Sequence, residues 1–100
     1  MLVKKVNLTP KALEDLENIW LYSHQHFGMN KADEYINRIS AIFDVLSQHE
    51  VGTRRDELGE NILSIPIEKH VIFFISSPLD IAIIRILNQA QDINITTFWK

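Results

Sequence analysis

Arg85 is the residue whose chemistry is most constrained by its neighbours, because it stands alone in the apolar run Ile81–Leu87. A guanidinium cannot be buried unpaired without a large cost, so it must meet a carboxylate, a carbonyl oxygen or water at a cleft. With the period of two that a strand imposes, it shares a face with three apolar residues, Ile81, Ile83 and Leu87. Two roles are open: a structural ion pair, with Asp56 or Glu57 as partner, and a functional contact in a wet cleft.

A second concentration of charge is the segment Arg54-Arg55-Asp56-Glu57. The favoured interpretation is a self-neutralising surface loop, since exposed ion pairs are common and contribute little to stability. The alternative is a recognition loop, because an arginine can make two-point contacts with a carboxylate or a phosphate.

The four histidines do not have the spacing of a metal site. His24 and His26 are two residues apart, so on a helix they point about 200° apart and cannot bind one ion together. The chain has no HExxH or Cys/His pattern, no Gly-rich phosphate loop and no GxSxG turn. We therefore expect no metal, no cofactor and no catalytic residue of these kinds.

Size and composition indicate one ordinary globular domain. The 100 residues are 46% hydrophobic and 23% charged, with no cysteine and a net charge of −3. Because acids and bases are mixed along the chain and no basic run occurs, we expect no direct nucleic-acid binding. No apolar run has the length of a membrane span or a secretory signal, so a cytoplasmic location without membrane contact is expected.

The first half of the chain predicts a strand and two helices. Val3–Leu8 is a short, partly alternating stretch typical of a strand. Thr9 is a good N-cap, with Pro10 at the first helical position, and Gly28 is a natural helix end. The apolar stripe of this helix is Ala12, Leu13, Leu16, Ile19, Trp20, Ser23 and Phe27, and two residues fall outside it, Leu21 and Tyr22.

A second helix is expected from an N-cap at Asn30, with Asp33 in a capping-box-like position, to a point near Gln48. Its apolar stripe is Ala32, Tyr35, Ile36, Ile39, Ile42, Phe43 and Leu46. A connection of about two residues makes the two helices an antiparallel hairpin. Residues 49–61 contain two glycines and much charge, which indicates a surface loop.

Three further apolar runs predict an antiparallel meander: Ile62–Ile67, Val71–Ser76 and Ile81–Asn88. The middle run has no polar alternation, as expected of an interior strand. The predicted fold is therefore α+β with the order β-α-α-β-β-β, a helical hairpin on a small antiparallel sheet. We expect one domain over 1–92, followed by a tail over 93–100.

The ordered set of motifs resembles the ParE toxins of the ParE/RelE superfamily. In chain order these motifs are Leu8-Thr9-Pro10, Ala12–Trp20, Phe27-Gly28, Gly52–Leu58, Ser64–Pro66, His70–Phe74, Ile84–Asn88 and Asp92. No single motif is specific, but their order and spacing match the family over residues 6 to 92. The family shares the β-α-α-β-β-β fold.

The resemblance implies the toxin of a type II toxin–antitoxin pair, one that inhibits DNA gyrase. It also implies neutralisation by a cognate antitoxin whose C-terminal segment wraps the toxin. The residues assigned to target or antitoxin binding are Leu21, Tyr22, Arg54, Arg55, His70, Phe74, Arg85 and Asn88. Since the resemblance includes an arginine at position 85, it favours the cleft role for Arg85.

Two other functions stay open beside this one. The related RelE branch cuts messenger RNA on the ribosome, and an inactive homologue would act only as a partner within a complex. The ParE family usually has Tyr, Arg, Arg and His where this chain has Phe74, Ile75, Leu63 and Asn88. These differences remove groups that do chemistry in the RelE branch, so we expect no ribonuclease activity.

Overall fold

The computed structural model describes residues 3–99 and confirms the α+β class and the helical hairpin. Met1 and Leu2 of the predicted domain and Lys100 of the predicted tail lie outside the described residues. The elements are β1 Lys5–Leu8, α1 Pro10–Phe27, α2 Met29–Gln48, β2 Thr53–Arg54, β3 Ile62–Ile67, β4 His70–Ser76, β5 Asp80–Asn88 and α3 Ile95–Phe98. Two short elements were not predicted: β2 within the expected loop, and α3 within the expected tail.

The five strands form one mixed sheet in the order β1-β5-β4-β3-β2. The meander of β3, β4 and β5 is antiparallel, as predicted, but β1 pairs in parallel with β5, so the expectation of a wholly antiparallel sheet is wrong at this edge. Parallel neighbours need a long connection, and the helical hairpin with the meander supplies one. Nothing in the local pattern of β1 specifies that direction.

Gly28 alone joins the two helices. Its φ of 89° lets the chain reverse in one residue, while its N–H donates to His24 O at 3.0 Å and its carbonyl accepts from Ala32 N at 3.1 Å. The N-cap of α2 is therefore Gly28, and the predicted cap at Asn30 is wrong because a one-residue turn leaves no room for it. At the other end of α1, the Thr9 cap is confirmed: its Oγ1 accepts from Ala12 N at 3.2 Å.

Apolar side chains cover both faces of the sheet. The face beneath the helices buries, among others, Ile39, Leu46, Ile72, Phe74, Ile81, Ile83 and Ile86. The opposite face buries a second cluster, Leu58, Ile62, Phe73, Ile84, Leu87 and Phe98. This explains the unbroken apolar run of β4, which lies at the centre of the sheet as predicted. Phe98 of α3 is 1% exposed, so the segment after residue 92 contributes to this second core.

A β-bulge in β5 changes the face on which Arg85 lies. Phe73 pairs with Arg85 while Phe74 pairs with Ile83, so Ile84 is an extra residue in β5. The alternation of two is interrupted there, and Arg85 lies on the face of Phe73 and Leu87. The predicted sharing of a face with Ile81 and Ile83 is wrong for this reason.

Candidate functional site

A groove of about 790 Å³ lies between the helical hairpin and the end of β5. One wall is the inner side of α1, the second is the first half of α2, and the floor comes from the β3–β4 turn and residues 85–91. The groove exists because β1 ends at Leu8, opposite Ile83, which leaves the rest of β5 without a neighbouring strand on that side. The α1 helix follows directly and passes beside this open edge.

Asp15 and Arg85 form a two-point ion pair at the inner end of the groove. Arg85 Nε donates to Asp15 Oδ2 at 2.7 Å and Nη2 donates to Oδ1 at 3.0 Å, and the side chains are only 13% and 12% exposed. The hydrogen bonds that Arg85 donates to the Asp15 carboxylate raise the pKa of Arg85 above its ordinary value. The predicted partners Asp56 and Glu57 are wrong, because Asp15 on α1 takes that place.

The same two side chains connect three parts of the fold. Asp15 Oδ2 also accepts from Ile86 N at 3.0 Å, which satisfies an amide on the open edge of β5. Arg85 Nη1 donates to Phe98 O at 3.1 Å and so holds the end of α3. Although Arg85 borders the groove, its guanidinium is engaged in these internal contacts. The geometry is that of the structural ion pair rather than of a free cation in a wet cleft.

The middle of the groove carries a hydrogen-bonded pair, Tyr35 and His70. Tyr35 Oη lies 2.6 Å from His70 Nδ1 and 3.3 Å from Ile67 O. Burial lowers the pKa of His70 and raises that of Tyr35, since it disfavours the charged form of each. Both side chains are therefore neutral near pH 7.

An exposed ion pair flanks this site. Arg38 Nε donates to Glu68 Oε2 at 2.6 Å, and its guanidinium carbon lies 5.3 Å from the centre of the Tyr35 ring. The hydrogen bond to Glu68 raises the pKa of Arg38. Arg38 was not singled out from the sequence, and Tyr35 was assigned to the core. Lys31, Tyr35 and Arg38 are spaced along one face of α2. This spacing is the sequence signal that could have identified this wall of the groove.

The predicted partner-binding residues are divided by the structure. Four of them border the groove: Tyr22, His70, Arg85 and Asn88. Tyr22 is 59% exposed, and Asn88 Oδ1 accepts from Ala90 N at 2.8 Å. Leu21 is similarly exposed, at 50%, but is not part of the groove lining. Phe27, which the apolar stripe had placed inside, is 61% exposed and lines the groove beside Tyr22.

Phe74 cannot contact a partner, because it is 1% exposed in the core beneath the helices. Its assignment to binding is therefore wrong; the period-two pattern gave no indication of which face of β4 the helices cover.

Arg54 and Arg55 lie outside the groove lining and make the ion pairs of a self-neutralising loop. Arg54 Nη2 is 3.2 Å from Asp56 Oδ1, and Arg55 Nε is 2.8 Å from Glu57 Oε2. The guanidinium of Arg55 also lies 5.2 Å from the centre of the Phe73 ring, which adds a cation–π contact. Arg55, only 25% exposed, is held by these contacts, whereas the pair of Arg54 with Asp56 is 71% and 68% exposed and lies open to solvent.

No cluster of three or more His, Asp or Glu side chains within residues 3–99 has the arrangement of a metal site. Among the same residues, no helix has the length and apolarity needed to cross a membrane.

Comparison with known proteins identifies the family. Residues 6–93 match the family model described as the ParE toxin of the type II toxin–antitoxin system, parDE. The chain belongs to the ParE toxin family. It is the ParE-like toxin component of a type II toxin–antitoxin system, and the resemblance expected from the motifs is confirmed.

Individual ParE relatives agree with this assignment. The chain is 28% identical over 91 residues to "Toxin ParE1" of Caulobacter vibrioides, covering 90% of this chain and 94% of that protein. It is 24% identical over 89 residues to "Toxin ParE1" of Mycobacterium tuberculosis, covering 87% and 91%. A solved structure, "Chromosomal ParDE TA system from P. aeruginosa", matches with a TM-score of 0.75 at 22% identity, covering 86% of this chain and 96% of that one. This last match shows a shared fold.

Proposed function

We propose that this ParE toxin inhibits DNA gyrase and that a cognate antitoxin neutralises it by binding in the groove. The proposed binding location rests on two exposed aromatic side chains of the groove wall. Tyr22 is 59% exposed and Phe27 is 61% exposed. Large aromatic residues are enriched in protein–protein contacts. A groove with exposed aromatic side chains on its α1 wall and a strand edge beside it also suits the insertion of a peptide segment.

A protein target is favoured over RNA cleavage by the surroundings of the candidate catalytic groups. Scission of RNA needs a positioned acid, a base and cations that stabilise the transition state. Here Phe74 and Leu63 pack in the core beneath the helices, and Ile75 packs on the second core. His70 Nδ1 is hydrogen-bonded to Tyr35, and Arg38 is paired with Glu68. We therefore propose that the toxin acts by binding rather than by catalysis.

Two purified systems test the target. The toxin, freed of antitoxin, is added to DNA gyrase in a supercoiling assay and to a reconstituted translation system in which messenger cleavage is measured. We expect loss of supercoiling and intact messenger RNA. In a host without antitoxin, induction should then give filamentation and a DNA-damage response.

The opposite outcome, messenger cleavage with unaffected gyrase, would overturn the proposal in favour of the RelE-like activity. No effect in either system, from a folded toxin, would instead indicate an inactive homologue that serves only as a complex partner.

A further inference from the structure

The end of the chain lies on the face of the sheet opposite the helical hairpin. Residues 89–94 contain no helix or strand, and the short helix α3 follows them. Phe98 of α3 is buried in the second core, where its ring packs edge-on against the ring of Phe73 with the ring centres 5.0 Å apart. We call residues 93–99 the C-terminal strap, because they cover apolar side chains of this face.

Hydrogen bonds to two other parts of the chain hold the end of the strap. Arg85 Nη1 donates to Phe98 O at 3.1 Å, and Trp99 Nε1 donates to Leu58 O at 2.7 Å. A helix of four residues is not stable by itself in water. The strap therefore keeps its position through its contacts with the sheet and the loop, and it can leave the sheet when these contacts weaken.

Arg85 is shared between the strap and the groove on the other side. Its Nε and Nη2 atoms bind the Asp15 carboxylate at the inner end of the groove, and Nη1 binds Phe98 O. The N–H groups of a guanidinium lie in one rigid plane, so a rotation that breaks one contact also disturbs the others. The position of the strap and the order of the groove therefore depend on the same planar group.

We propose that Arg85 couples the groove to the C-terminal strap, so that filling the inner end of the groove holds the strap on the sheet and opening the strap loosens the groove. An occupant meets Asp15 and Arg85 in a fixed arrangement only while the strap is closed, and a ligand favours the state in which it makes the better contacts. Such coupling acts equally in both directions. The occupant of the groove thereby controls whether the apolar face around Phe73 is covered. This inference takes the groove as a binding site from the proposed function, whereas the coupling itself is a property of the toxin alone.

Hydrogen exchange followed by NMR in the full-length toxin tests the coupling. The indole N–H of Trp99 reports opening of the strap, since it donates to Leu58 O when the strap is closed. The amide of Ile86 reports the groove, since it donates to Asp15 Oδ2. The amide of Ile72, a fully buried residue at the centre of the sheet, reports global unfolding.

The variant Asp15→Asn removes the counter-charge of Arg85 without changing a residue of the strap. We expect the Trp99 indole to exchange about tenfold faster relative to the Ile72 amide, because the guanidinium turns toward water and leaves Phe98 O. The matched control is Glu68→Gln, which neutralises the carboxylate of the other ion pair of the groove and should leave this ratio unchanged. Equal acceleration at Trp99 and Ile72 in Asp15→Asn would be a global loss of stability and would overturn the coupling.

Two further variants test the link from its other parts. Trp99→Phe removes the hydrogen bond to Leu58 O at the end of the strap, and we expect the Ile86 amide to exchange faster as a result. Arg85→Lys keeps the charge but cannot bind Asp15 and Phe98 O together in the manner of a guanidinium, so it should also loosen the strap. If Arg85→Lys loosens the strap while Asp15→Asn folds and does not, Arg85 is only a local support and the coupling is wrong.

A second experiment adds the purified product of the reading frame adjacent to the toxin gene, with binding followed by calorimetry. We expect exchange of the Trp99 indole to slow at least threefold in the unmodified toxin, and this slowing to be lost in Arg85→Lys. Binding without any slowing overturns the inference and leaves the proposed antitoxin site intact. Absence of binding, with the three variants behaving as expected, refutes the proposed site and supports the coupling within the toxin.

Discussion

Asp15 and Arg85 are 70 positions apart in the chain, yet they form a two-point ion pair with N–O distances of 2.7 and 3.0 Å. The pair joins α1 to β5 and, through the carbonyl of Phe98, to α3. Removing one member of a buried pair leaves the other charge without compensation, which is more costly than the pair itself is stabilising.

The first prediction concerns Arg85→Ala. We expect the free energy of unfolding to fall by about 3 kcal/mol, at the lower end for buried pairs because the groove admits solvent to one side. Denaturant unfolding measures this loss. Arg38→Ala is the control, since it breaks an ion pair whose side chains are both 50% exposed, and it should change stability far less. Equal losses of unfolding free energy in the two variants would show that the buried Asp15–Arg85 pair matters no more to stability than the exposed pair.

The second prediction maps the groove with two adjacent residues of similar exposure. Tyr22→Asp places a carboxylate on the groove wall, whereas Leu21→Asp places one beside it. We expect at least a tenfold weaker complex with the antitoxin for Tyr22→Asp, equivalent to about 1.4 kcal/mol, and little change for Leu21→Asp. Calorimetry of the purified proteins measures both. A loss of affinity confined to Leu21→Asp would contradict the prediction and place the contact surface on the outer side of α1.

The third prediction is a pH dependence from His70. Burial is the largest influence on the pKa of His70 and lowers it. The negative charge of Glu68 raises this pKa and the positive charge of Lys69 lowers it, while Tyr35 Oη is hydrogen-bonded to Nδ1. The unfolded chain then binds a proton more readily than the folded one, so stability falls as the pH drops below the ordinary value of about 6.5. His70→Asn, which retains an acceptor near Tyr35, should show a weaker fall between pH 8 and 5. Identical pH profiles for the two proteins would contradict the prediction.

The fourth prediction compares two glycines, both with positive φ. A Cβ at Gly52, where φ is 119°, would lie 2.8 Å from Phe74 Cζ, while a Cβ at Gly28 would meet nothing within 4 Å. Both alanine substitutions incur backbone strain of roughly 1–3 kcal/mol. Gly52→Ala should lose roughly 1–3 kcal/mol more because it overpacks the core. Thermal unfolding of the two variants should therefore rank Gly52→Ala as the less stable; the reverse order would be incompatible with this packing.

The features that the sequence predicted well are those encoded by neighbouring residues. Thr9 and Pro10 set the start of α1, Gly28 sets its end, and the run Ile62–Ile67 coincides with β3. Capping and strand alternation act within a few residues, so their signals are present in a short window. The unbroken apolar run of β4 likewise indicated that both faces of the sheet are covered.

The features that were missed depend on distant parts of the chain. The extra residue at Ile84 reverses the alternation of β5, and nothing in an all-apolar run marks where a bulge falls. The partner of Arg85 had to be chosen among many carboxylates, and Asp15 on a predicted helix surface carried no distinguishing signal. The groove itself arises from the place where β1 stops along β5, which is a property of the assembled sheet.

The parallel pairing of β1 with β5 also sets the order of events during synthesis. Residues 5–8 leave the ribosome long before residues 80–83, the strand segment with which they pair. A contact between the two ends of a chain adds to contact order and delays completion of the fold. The groove beside β5 cannot form until residues 80–91 have been synthesised. A fragment that ends before residue 80 lacks this edge, and with it the groove in which we propose that the antitoxin binds.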